Sequence, residues 1–183
     1  MAFHKFEPDA VARLRGLIVR TRAGEATARE ELQGEVWATA VRVRGEIVRK
    51  LELGPRDNLM GLLWTVDDWK AWKASKIKEV RQGSWGVSSL GIVDGQPAGG
   101  GDDGGNGERT WKITRAVFSG TALVVGAPLA ISAIAVKGGE MVQVLTWQVG
   151  ALSEEVAGGV AEDLQSWLTD LGEGRDLDVT RAE

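Results

Sequence analysis

Residues 116–136, AVFSGTALVVGAPLAISAIAV, run for 21 positions without one charged side chain. Any fold open to this chain has to keep that run away from water. As a helix rising about 1.5 Å per residue it is roughly 31 Å long, close to the hydrocarbon thickness of a bilayer. Its content is lean, since six Ala, two Gly, two Ser, one Thr and Pro128 stand among the Val, Leu, Ile and Phe. A fully buried core helix is therefore an alternative to a spanning one. Ala122, Gly126 and Ala130 recur every four residues and let a neighbouring backbone approach closely. Pro128 removes an interior backbone bond and predicts a bend.

The flanks bear on the same choice. Trp111 and Trp147 lie beyond the run on either side, where aromatic rings suit a membrane interface. Arg109, Lys112 and Arg115 precede it and mainly acids follow Lys137, so a spanning segment would keep the N-terminal half in the cytoplasm. After Lys137-Gly138-Gly139, two patterns compete. Met141, Leu145, Val149, Leu152, Val156, Val160, Leu164, Leu168 and Leu171 fall on one helical stripe. Alternation within 131–136 and 141–149 around the Lys-Gly-Gly turn instead predicts a β-hairpin. The helix is favoured, because SEEVAGGVAEDLQSWLTDL continues the stripe.

The N-terminal half reads as amphipathic helices. Pro8 opens a first helix over 8–22 with Val11, Leu14, Leu17 and Ile18 on one side, and Gly24 ends it. Thr27 and Glu30 have capping-box spacing ahead of Leu32, Val36, Ala40, Val43, Ile47 and Leu51, a stripe that stops at Gly54-Pro55. These two helices are expected to form an antiparallel hairpin with Arg42, Arg44 and Arg49 outermost. Asp57 is a candidate N-cap for a third helix reaching Gly83, with Leu59, Leu62, Leu63, Val66, Ile77 and Val80 inward. In it Trp69 and Trp72 interleave with lysines, a pattern of membrane surfaces and, equally, of a packed helix with solvated lysines.

Chemistry is sparse. There is no cysteine, and His4 is the single histidine, so thiolate sites, disulfides and histidine triads are excluded. The Gly-rich stretch 94–110 reads as a flexible linker. Its Asp102-Asp103-Gly104 segment fails the EF-hand series, because Gly104 and Ile113 stand where oxygen ligands are needed. Adjacent acids such as Glu154/Glu155 and Glu162/Asp163 point about 100° apart on a helix and read as solvated faces. Residues 1–90 carry 16 basic against 12 acidic side chains and residues 91–183 carry 6 against 14. The basic half is interspersed with acids and holds no nucleic-acid module, so no nucleic-acid partner is expected. No metal or cofactor is expected either. The first ten residues lack a signal-peptide pattern.

These patterns predict a mainly α protein, a helical bundle with a central apolar helical hairpin and a Gly-rich loop. The alternative is an α+β fold with a β-hairpin at about 129–149. The regions are 1–93, amphipathic helices; 94–110, linker; 111–171, apolar hairpin; and 172–183, a frayed acidic tail. A hydrophobic hairpin sheathed by amphipathic helices resembles the core arrangement of colicin-type pore-forming domains over residues 116 to about 152. That resemblance rests on hydropathy and implies a bundle able to place the hairpin in a bilayer. The expected function is accordingly a membrane-associated, membrane-inserting or membrane-perturbing effector of bacterial or phage origin. It would be cytoplasmic or peripheral to the inner membrane, and it is not expected to be an enzyme. The expected contacts with lipid or protein are Trp69, Trp72, Trp111, Gly126, Pro128 and Trp147. A soluble, non-enzymatic assembly subunit or adaptor, namely a phage or bacterial particle component, homo-oligomeric or bound to a protein partner, is the alternative.

Overall fold

A computed structural model describes residues 5–54, 64–77, 79–81, 83–95, 112–121 and 125–178. In chain order the elements are α1 (Pro8–Arg22), α2 (Ala26–Glu52), α3 (Trp69–Lys76), β1 (Trp85–Val93), β2 (Leu129–Val136), β3 (Met141–Trp147) and α4 (Glu154–Gly172). Two compact units result, one of residues 1–69 with 159–183 and one of residues 70–158.

In the first unit, α1 and α2 form the expected hairpin. Pro8 occupies the first turn, and Gly24, at φ +89°, makes the left-handed bend between the helices. Leu17, Ala28 and Leu32 are buried together, with Leu14, Ile18 and Val36 packed on them. Each buried leucine contributes on the order of 2 kcal/mol. The side chain of Ala28, fully enclosed, lets the helices close up. The capping box does not form: Glu25 is the N-cap of α2, without a side-chain cap bond, and Thr27 lies inside the helix. The stripe of α2 is covered only at its start, and Ile47 and Leu51 are exposed. A 15-residue α1 cannot face all of a 27-residue α2.

The C-terminal residues of this unit are tied down, which corrects the frayed tail as far as Asp178. Leu177 is only 7% exposed, and its carbonyl accepts a hydrogen bond from Gln33 Nε2 at 2.8 Å. Trp167 Nε1 donates to the Asp178 carbonyl at 3.2 Å, and Arg29 pairs with the Asp178 carboxylate at 3.6 Å. The buried leucine and these three contacts hold residues 177–178 in place.

The second unit overturns the mainly helical bundle. Its centre is a three-stranded mixed sheet in the order β1-β2-β3, with β1 parallel and β3 antiparallel to β2. The apolar run is not a rod. Residues 116–121 are irregular, 125–128 turn, and Leu129–Val136 is the central strand. Pro128 stands just ahead of the strand, where a missing N–H removes no ladder bond, so it starts β2 rather than bending a helix. Ile131, Ile134 and Val136 are β-branched and favour the extended form. The turn at Lys137-Gly138-Gly139, with Gly138 at φ +70°, returns the chain into β3, as the hairpin alternative had it. The stripe from Met141 to Leu171 is therefore broken, and only its second half is helical, as α4.

Among the described residues the third helix is confined to the eight residues of α3. Residues 55–63, with the Asp57 cap and Leu59, Leu62 and Leu63, lie outside the described residues. Ile77 and Val80 are exposed rather than inward, Val80 at 92%. Of the linker 94–110 only Asp94 and Gly95 are described.

Candidate functional site

At one end of the sheet, residues far apart in sequence converge. Arg81 Nη1 donates to the Gly126 carbonyl at 2.7 Å, and Nη2 donates to Gln148 Oε1. The Gln148 N–H in turn donates to the Pro128 carbonyl at 2.9 Å. Trp147 closes β3 opposite Leu129. The planar guanidinium thus latches the turn that enters β2 to the residue that leaves β3, a fork geometry that lysine cannot copy. Both acceptors are neutral, and no carboxylate among the described residues pairs with Arg81. Beside the latch, Trp147 and the 149–154 turn line a cavity of about 350 Å³. Gly150 at φ +86° shapes that turn, and Ser153 Oγ accepts from the Val156 N–H at 3.3 Å to cap α4.

A second cavity, of about 290 Å³, lies in the first unit along α4. Glu162, Gln165, Ser166, Thr169 and Asp170 recur at helical spacing on one side, and Arg175 closes it from the turn beyond Gly174. Asp170 is 2% exposed, and its Oδ1 accepts from Arg175 Nε at 3.0 Å and Nη2 at 2.7 Å. A carboxylate near a helix C-terminus is opposed by the helix dipole, and the guanidinium offsets this. Asp170 Oδ2 is buried without a partner.

Of the residues singled out from sequence, Gly126, Pro128 and Trp147 meet at the latch, through backbone carbonyls and strand register rather than as a membrane-facing set. Trp69 and Trp72 sit on α3, both partly exposed, with Lys76 Nζ 5.9 Å from the Trp72 ring centre. Trp111 lies outside the described residues. Sequence reasoning missed Arg81, Gln148, Asp170 and Arg175. The separation of 45 positions from Arg81 to Gly126 leaves no local signal, whereas Arg175 just past a glycine after a helix was readable as a C-terminal anchor. Among the described residues no group of three or more His, Asp or Glu could hold a metal ion.

No protein-family model and no solved structure matches the chain. Over 175 residues, 96% of its length, it is 30% identical to a protein of Fusarium pseudograminearum described as a probable alcohol acetyltransferase. The match covers 31% of that relative, so the chain spans about a third of its length. This likeness overturns the expectation of a non-enzymatic effector, assembly subunit or phage particle component. The membrane-inserting reading falls with the helical hairpin as well, since no helix among the described residues is long and apolar enough to cross a membrane.

Proposed function

We propose that this chain forms the sheet-bearing third of an acetyltransferase acting on alcohols. The observation that supports the reading is the spread of the identity, which takes in the helical hairpin of the first unit as well as the sheet of the second. In such a transfer the alcohol oxygen attacks the carbonyl carbon of an activated acetyl group. The bond to the leaving group breaks, and the hydroxyl proton passes to a base. The described residues include no histidine, and in this reading the base lies outside them. What this chain contributes is shape and hydrogen bonding. Gln165, Ser166 and Thr169 in the Asp170 cavity carry the donors and acceptors that a hydroxyl-bearing acceptor requires.

The test is a graft in which this chain replaces the matched stretch of the Fusarium relative, supplied with acetyl-CoA and a panel of primary alcohols. Ester formation at a rate comparable with the parent protein is expected. A folded graft that forms no ester from any alcohol the parent acetylates contradicts the reading.

A further inference from the structure

The strand register sorts the sheet into two faces. Paired positions in neighbouring strands point the same way, so Trp85 and Val87 of β1 share a face with Leu129 and Ile131 of β2 and with Leu145 and Trp147 of β3. Strict alternation would send Ile92 to the opposite face. The ladder instead advances three residues in β1, from Ser89 to Ile92, while β2 advances two, from Ala133 to Ala135. Gly91, at φ +72°, absorbs the extra residue, and the Gly91 N–H bonds Ser89 Oγ at 3.1 Å. The bulge thereby returns Ile92 to the face of Trp85 and Val87.

That face is covered at its centre, where Leu129 and Ala133 are buried, and open over β1. Trp85 is 55% exposed, Val87 57% and Ile92 73%, and Leu90 on the bulge is 58% exposed. No strand among the described residues pairs with the other edge of β1. Its nine residues hold no charge and no proline, two of the devices by which exposed edges resist pairing, and the bulge at Gly91 is the one such device it carries. Parallel strands are as a rule enclosed on both faces, and a three-stranded sheet is short of the usual four to six.

We propose that β1 receives a further β-strand, and that the strand belongs to polypeptide equivalent to the part of the Fusarium relative outside the matched stretch. The proposal rests on the acetyltransferase reading for its occupant. The chain aligns with only 31% of that protein, leaving in it about twice as much polypeptide as is matched. Addition at β1 gives Trp85, Val87 and Ile92 cross-strand neighbours and satisfies the outward backbone groups of the strand.

Hydrogen exchange tests this directly, on the full 183-residue chain alone and on the same chain grafted into the relative. In the graft, amides of alternate β1 residues that do not bond β2 are expected to exchange at least roughly tenfold more slowly than in the chain alone. Val87→Glu and Ile92→Glu should abolish that slowing, while Val19→Glu on exposed α1 should leave it. If the graft does not fold, the intact relative serves: its segment aligned with Trp85–Val93 must be protected on both edges. Equal exchange in chain and graft overturns the proposal. So does protection in the chain alone that rises with its concentration, which makes a second copy the occupant. A graft that protects β1 but forms no ester leaves the docking standing and removes the enzymatic reading. One that forms ester with β1 unprotected does the reverse.

Discussion

At the scale of single residues, two arginines tie turns to the elements beside them. Arg81 joins the Gly126 carbonyl to Gln148, so Arg81→Met leaves two partly buried acceptors unmet and should lower unfolding free energy by about 1–3 kcal/mol. Arg81→Lys should recover less than half of that loss, because a point donor cannot span both oxygens; urea unfolding of the two variants checks it. Arg175 faces the buried Asp170 carboxylate but is itself half exposed, so Arg175→Met should cost about 1–2 kcal/mol, below the value for a fully buried pair. The double variant Arg175→Met with Asp170→Asn should be more stable than Arg175→Met alone, since the uncompensated charge is gone. Leu177→Ala should cost about 2 kcal/mol and release the 175–178 segment, whereas the same change at the more exposed Leu171 should cost under about 0.5 kcal/mol.

At the scale of elements, glycines decide where the second unit turns. A Cβ at Gly95 would collide with the Ile113 carbonyl, and the Gly95 carbonyl accepts the Ile113 N–H at 3.0 Å. Gly95→Ala should therefore separate residues 112–114 from the end of β1, seen as proteolytic cleavage near Ile113 well below the unfolding transition. Gly138→Val, at φ +70° with open space around it, should instead weaken the β2–β3 hairpin by about 1–2 kcal/mol through backbone strain alone. What was legible in the sequence follows the same division. α1 and α2 are visible because a 3.6-residue stripe, Pro8 and Gly24 all agree, and α4 because it is the part of the Met141–Leu171 stripe that stays helical. The β2–β3 hairpin was visible only as a rival pattern. The central strand is apolar on both faces, and an unbroken apolar run reads alike as buried strand and as helix. Gly126 and Pro128 cut the run just ahead of the strand, and they read as helix-packing and kinking features instead of as the approach to a strand.

For the whole molecule, the two largest expectations from sequence, a bilayer-sized rod and a bundle around it, depended on the length of the apolar run rather than on its pairing. A strand of eight residues hides the last third of that run by lying between two others, while Val117 near its start stays 66% exposed. The Arg81 latch was out of reach of sequence reasoning because its closing partner is set by tertiary structure, whereas the Asp170–Arg175 pair, five residues apart, is local. The central claim, that Leu129–Val136 is a strand paired to Met141–Trp147, is tested most directly by cross-strand nuclear Overhauser effects in isotope-labelled protein. The account predicts contacts linking Ile131 with Leu145, Ser132 with Val144 and Ala133 with Gln143, in that register. Medium-range helical contacts three residues apart through 129–136, with no contact across to 143–145, would contradict it.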